Sequence, residues 1–98
     1  MIAHNQRYKD TRITLDGATF VGCTFENCIF VFSGLLPPLL EGNTITACKW
    51  EFTGPAANTV AFMSALYRSG AHDVIEKTFE NIRNMPDTKR AGDPVILN

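Results

Sequence analysis

The chain has 98 residues, a formal net charge of −1 and 19% charged residues, which fits a single domain. Its near-neutral charge argues against a dedicated nucleic-acid binder, which usually carries a basic stripe, and no apolar run approaches the roughly 18 residues that span a bilayer. Residues 1–7 (MIAHNQR) contain no hydrophobic signal region. We therefore expect a cytoplasmic protein that binds neither nucleic acid nor membrane.

Residues 1–12 are mostly polar and are expected to form a lead-in, an irregular segment with a short strand. Arg7, Lys9 and Arg12 fall at roughly alternate positions, so this interpretation places them on one solvated face. Two roles are open for them. They form either a small basic patch for an anion or a charged edge that blocks unwanted strand pairing.

A large apolar side chain occupies every fifth position of residues 13–54. These positions are Leu15, Phe20, Phe25, Phe30, Leu35, Leu40, Ile45 and Trp50. An amphipathic helix places apolar residues about every 3.6 positions and a half-buried strand every second one, so neither explains this spacing. A coil with four flat sides explains it, because the central residue of each five-residue side then points inward. The residue two places earlier, which is usually small, shares that face since side chains alternate along a strand.

A second period appears when residues 22–34 (GCTFENCIFVFSG) are set over residues 42–54 (GNTITACKWEFTG). The identical pairs are Gly22/Gly42, Thr24/Thr44, Cys28/Cys48, Phe32/Phe52 and Gly34/Gly54. Such a repeat is typical of a solenoid, in which each unit buries its apolar face by stacking on the next. The sequence therefore predicts about two turns over residues 13–54, with Phe30 stacked on Trp50.

The runs at residues 17–20 (GATF), 22–25 (GCTF) and 27–30 (NCIF) resemble pentapeptide repeats, which place a small residue, a polar one and then Leu or Phe. The resemblance covers residues 13–54 and implies a short right-handed quadrilateral β-helix. In this chain the second motif position holds Thr19, Thr24 and Ile29, where the family usually has Asp or Asn. Residues 35–40 (LLPPLL) break the polar pattern, and whether they stay in the coil or loop out is left open.

Cys23, Cys28 and Cys48 all fall at the small inward position, so we expect buried thiols that behave as apolar residues. An odd number of cysteines is a poor disulfide framework, which favours a reducing compartment. Cys28 and Cys48 are predicted to stack on adjacent turns, although proximity alone does not make a disulfide there. A zinc site needs four ligands, and we expect neither a metal nor a cofactor.

The chain leaves the coil at Pro55, with Thr53 or Gly54 as the helix N-cap. The apolar spacing predicts helices over residues 55–69 and 72–84, which together form a helical cap on the open end of the coil. Residues 85–98 are expected to be a flexible tail. The whole chain is thus predicted to be one α+β domain, mainly β.

The predicted function is not enzymatic, because the cysteines point inward and the carboxylates of the coil point outward on different sides. The preferred hypothesis is an oligomerising interaction module, a dimer or higher, that acts by protein–protein binding. The alternative is a small-ligand binder for a nucleotide-like or other anionic metabolite, with pockets at subunit seams. In that case Trp50 or Tyr67 supplies stacking and Arg7 or Arg68 contacts the anion.

Overall fold

The structure, a computed structural model, describes residues 1–84, which form an α+β fold that is mainly β. The strands are β1 (Ile2–His4), β2 (Arg7–Lys9), β3 (Arg12–Thr14), β4 (Thr19–Val21), β5 (Thr24–Glu26), β6 (Ile29–Phe32), β7 (Leu39–Glu41), β8 (Thr44–Thr46) and β9 (Lys49–Phe52). The helices are α1 (Gly54–Arg68) and α2 (His72–Asn84), close to the predicted bounds.

All strand pairs are parallel, and the strands form three sheets of three strands each, ordered β1-β4-β7, β2-β5-β8 and β3-β6-β9. The chain therefore visits the three sheets in the same order three times. We call β1–β3 the first pass, β4–β6 the second pass and β7–β9 the third pass. Three parallel sheets of short, regularly spaced strands are compatible with a β-helix-like repeat.

The register between the second and third passes has the predicted spacing of twenty residues, with Phe30 opposite Trp50. The first pass pairs differently, since Ala3 lies opposite Phe20 and Ile13 opposite Phe30, a spacing of seventeen. The difference arises in the connections between passes. Residues 15–18 join β3 to β4, whereas the longer segment 33–38 joins β6 to β7.

The predicted start of the coil is wrong. Residues 1–12, expected to be an irregular segment with a short strand, contain β1, β2 and the start of β3, so the strands make three passes where about two turns were expected. For residues 35–40, whose place in the coil the sequence leaves open, the structure gives an answer: Leu35 is 73% exposed and lies in the connection between β6 and β7, outside any strand. Residues 35–38 thus loop out of the sheets, while Leu39 and Leu40 return to β7.

The core lies in the second pass, where Phe20, Phe25 and Phe30 are fully buried. Their rings meet edge to face, with centroids 5.2 Å apart for Phe20 and Phe25 and 4.9 Å apart for Phe25 and Phe30. Cys23 and Cys28 fill the small inward positions and are 1% exposed. The inward phase predicted for the second pass is therefore confirmed.

The chain divides into two compact units, Met1–Ala57 and Asn58–Asn98, of which the second is described to residue 84. Helix α1 begins where the Ala56 and Ala57 N–H groups donate to the carbonyls of Ser33 and Thr53. That the helices cap the coil stays a prediction, and the expected tail at 85–98 lies outside the described residues. Within residues 1–84, neither helix has the length and apolarity needed to cross a membrane.

Candidate functional site

The inward positions of the third pass form an exposed apolar surface. Leu40 is 37% exposed, Ile45 40% and Trp50 52%, although each lies in register with a fully buried phenylalanine of the second pass. Phe52 continues this surface along β9 and is 51% exposed. We call these four side chains the third-pass face.

The third-pass face lies on the last strand of each of the three sheets. β7, β8 and β9 are each the outermost strand of their sheet, so in the unit Met1–Ala57 no further strand lies beyond them. The Trp50 ring stacks on Phe30 at 4.7 Å, with an interplanar angle of 26°. Large exposed apolar patches on monomeric proteins mark interaction sites, since they are costly to leave in water.

The first pass, at the other edge of the sheets, is closed. Ala3, Ile13 and Leu15 are buried, and the half-buried Tyr8 ring lies parallel to Phe25 with centroids 5.3 Å apart. Strands β1 and β2 precede Ile13 and complete its layer.

The cations of residues 1–12 lie on the strands that form this closed edge. Arg7 and Lys9 are exposed on β2, and Arg12 is exposed on β3, where it pairs with Glu51. Charged side chains on outermost strands oppose pairing with another chain. The placement agrees with the edge-protection hypothesis, and the hypothesis of an anion patch remains open.

One cavity lies at the corner between the second and third sheets, and another lies along β2 and β5 of the second sheet. The first, about 260 Å³, includes Arg12 and Lys49, which lie in register on either side of Ile29. Its lining also holds Asp10, whose carboxylate accepts a hydrogen bond from the Asn27 amide at 2.6 Å. The second cavity, about 300 Å³, is lined by Arg7, Tyr8, Lys9, Thr24 and Glu26. Cationic groups thus line both cavities.

The carboxylate of Asp16 holds the start of the segment between β6 and β7 by hydrogen bonds. It accepts hydrogen bonds from the backbone N–H groups of Ser33 at 3.0 Å, Gly34 at 3.1 Å and Leu35 at 3.2 Å. These hydrogen bonds, that of Ser33 first, hold the pKa of Asp16 below its usual 3.8 because they favour the charged form. This group is therefore a structural anion that holds the start of the connection.

The four residues predicted to bind a ligand are divided between the two units. Arg7 lies on β2 and Trp50 on β9, in different sheets of the first unit. Tyr67 and Arg68 are the last two residues of α1, in the second unit. The ring centroids of Tyr67 and His72 lie 4.4 Å apart. Their role in ligand binding stays a prediction.

The sequence singled out Trp50 but missed Leu40, Ile45 and Phe52 as candidate site residues. Leu40 and Ile45 continue the five-residue spacing of the buried layer, so the sequence favours a core position for them. The available signal is Pro55, the second residue of α1, which begins a helix shortly after β9 where another strand would otherwise follow.

Among residues 1–84, no group of three or more His, Cys, Asp or Glu side chains is placed to hold a metal ion. Comparison of the chain with models of known protein families, with curated proteins and with solved structures gives no match.

Proposed function

We propose that this protein is a non-enzymatic interaction module that oligomerises, as a dimer or a higher assembly, through the third-pass face. The observation that carries the proposal is the exposure of Leu40, Ile45, Trp50 and Phe52 on neighbouring outermost strands. In this proposal the three passes are turns of a right-handed β-helix of the pentapeptide-repeat type. The β-helix then presents the third-pass face for binding.

The contrast between the two edges of the sheets supports a contact through the third pass. The first-pass layer keeps Ala3, Ile13 and Leu15 buried and carries the exposed cations Arg7, Lys9 and Arg12, and its exposed apolar side chains are Met1 and Ile2. The third-pass face offers large apolar side chains, and removing them from water is worth about 25 cal/mol per Å². A contact between two third-pass faces also closes on itself, whereas a head-to-tail contact builds either a ring or an open filament.

The proposal is tested by size-exclusion chromatography with light scattering over a range of protein concentrations. Wild type is expected to have a multiple of the monomer mass that falls on dilution. Trp50→Ser should shift the assembly to monomer, because it removes the largest apolar group of the face. Lys49→Ser, an outward neighbour on the same strand, is the matched control and should leave the mass unchanged.

Trp50 is the chain's only tryptophan, so its fluorescence reports directly on this face. The emission maximum is expected to move to longer wavelength on dilution, as the half-exposed ring regains water. A wild-type protein that is monomeric at every concentration, with a constant emission maximum, would contradict the proposal.

A second candidate function, binding of a small anionic metabolite, is favoured by one observation. Arg12 and Lys49 flank Ile29 in register and line the 260 Å³ cavity, which places two cations around one apolar side chain. A ligand that binds only the folded state raises its melting temperature. A thermal-shift screen with nucleotides and other phosphorylated metabolites should find a ligand whose effect is lost in Lys49→Met, whereas a flat screen with a stable oligomer favours the interaction module.

A further inference from the structure

Cys28 and Cys48 occupy the same place in successive passes of the chain, one residue before β6 and β9. The backbone N–H of Cys28 donates to Cys48 Sγ at 3.4 Å, and the Lys49 N–H donates to the Cys28 carbonyl at 2.9 Å. The two cysteines are therefore direct neighbours across one strand pair. We propose that they are an oxidative modification site, which a peroxide converts into a Cys28–Cys48 disulfide.

The two thiols have matching orientations. Cys28 Sγ donates to the carbonyl of Glu26 at 3.4 Å, and Cys48 Sγ donates to that of Thr46 at 3.3 Å. Neighbouring strands lie about 4.8 Å apart, which falls within the separation of about 4.4–6.8 Å that disulfides allow between Cα atoms. The Cβ atoms must approach to about 3.8 Å, so the bond requires a small adjustment and is readily reduced. These properties suit a reversible modification.

The different exposure of the two thiols gives the order of the reaction. Cys28 is 1% exposed, whereas Cys48 lies half-buried in the third pass and meets the oxidant first. The Cys48 sulfur attacks one oxygen of the peroxide ROOH, the O–O bond breaks, and Cys48–SOH and ROH result. The Cys28 sulfur then attacks the Cys48 sulfur, and the hydroxyl leaves with the Cys28 proton as water. Two thiols thus lose two electrons, which reduce one peroxide.

Cys23 lacks such a partner. Its neighbour in the third pass is Asn43, whose Oδ1 accepts from the Cys23 N–H at 2.7 Å. On the first-pass side its Sγ donates to the carbonyl of Ala3 at 3.5 Å. The chain's three cysteines therefore provide one pair that lies in register, and Cys23 is the internal control for buried thiols.

The disulfide would tie the third pass to the second pass. It closes a loop of twenty residues that contains β7 and β8, two of the three strands that carry the third-pass face. Such a closure restricts the unfolded chain, so the oxidised protein should melt at a higher temperature than the reduced protein.

The test treats the folded 98-residue chain with hydrogen peroxide, unfolds it in iodoacetamide to block the remaining thiols, and cleaves after glutamate. Cleavage after Glu26, Glu41 and Glu51 separates the three cysteines into different peptides. The expected product is residues 27–41 linked to residues 42–51, with Cys23 alkylated, in a monomer-sized chain on a non-reducing gel. Dithiothreitol should restore three free thiols and the lower melting temperature.

Cys23→Ala should form the same link, whereas Cys28→Ala should leave Cys48 as a sulfenic or more oxidised acid. The wild-type digest decides the question even when a variant folds poorly. A Cys48–Cys48 link between copies, a link that includes Cys23, or over-oxidation of Cys48 while Cys28 stays reduced would each overturn the proposal.

Discussion

The rings of Phe30 and Trp50 stack with centroids 4.7 Å apart, yet Phe30 is fully buried and Trp50 is 52% exposed. The two residues lie opposite each other on β6 and β9, in the second and third passes. A strand lies on each side of β6, whereas β9 is the last strand of its sheet.

Truncation of Trp50 should therefore cost less than truncation of a buried aromatic residue. Full burial makes Phe or Trp→Ala cost about 3–5 kcal/mol, and we expect about 2 kcal/mol for Trp50→Ala because half of the ring is already in water. Urea denaturation of the monomer at low concentration, followed by circular dichroism, measures the free energy of unfolding. A loss as large as that of Phe30→Ala would contradict the open position of the third pass.

Asn43 joins the third pass to the second pass through both ends of its side-chain amide. Its Oδ1 accepts from the Cys23 N–H at 2.7 Å, and its Nδ2 donates to the Phe20 carbonyl at 3.0 Å. Asn43→Ala leaves both backbone groups without this partner, so we expect a loss of about 1–3 kcal/mol in the free energy of unfolding. Thr44→Ala, at the next and exposed position, is the control. Equal stability of the two variants would show that the amide bridge contributes nothing.

The Asp16 carboxylate should make stability depend on pH in the acid range. Its pKa in the folded protein lies below the usual 3.8, since the Ser33, Leu35 and Gly34 backbone N–H groups stabilise the charged form. The stability that ionised Asp16 gives the folded protein is therefore complete above pH 3.8. It is lost as the pH falls through the lower pKa that Asp16 has in the folded state. Asp16→Asn should lower stability at neutral pH and flatten the acid limb of a plot of melting temperature against pH. Glu41→Gln, a change at an exposed carboxylate of β7, should leave that limb unchanged.

Ala47 has a left-handed backbone conformation, with φ at +54° in the turn between β8 and β9. A side chain in this region costs about 1–2 kcal/mol, so Ala47→Gly should raise the free energy of unfolding by about 1 kcal/mol. The reverse change is available at Gly42, where φ is +64° and an added Cβ meets no atom within 4 Å. Gly42→Ala should lower stability by a similar amount through conformation alone. Thermal melts with opposite shifts for the two variants are the expected result.

The second and third passes could be predicted from the sequence because a single spacing of twenty residues sets the register of all three of their strand pairs. Phe20, Phe25 and Phe30 lie twenty residues before Leu40, Ile45 and Trp50, and both the five-residue and the twenty-residue periods give this spacing. The first pass was missed for two reasons. Its central residues, Ala3 and Tyr8, do not match the Leu or Phe of the other passes, and the short connection at 15–18 reduces the spacing to seventeen.

The candidate site was harder to predict than the fold. The alternation that turns Ile45 inward is the same as that of Phe25, so the sequence pattern gives both residues the same interpretation. Ile45 lies on β8, the last strand of its sheet, whereas Phe25 lies on β5 between two strands, and the sequence pattern does not distinguish these two positions. Likewise, the twenty-residue spacing predicts that Cys28 and Cys48 are neighbours. It does not predict that Cys48 is the more exposed of the two.

The inward stacking of Phe25 between Tyr8 and Ile45 is the claim on which the account most depends. Its most direct test is urea denaturation of Phe25→Ala beside Glu26→Ala, since Phe25 is fully buried while Glu26, the next residue on β5, is exposed. We expect Phe25→Ala to lose about 3–5 kcal/mol, enough to unfold most of so small a domain, and Glu26→Ala to remain within about 0.5 kcal/mol of wild type. Comparable small losses in both variants would contradict the inward stacking.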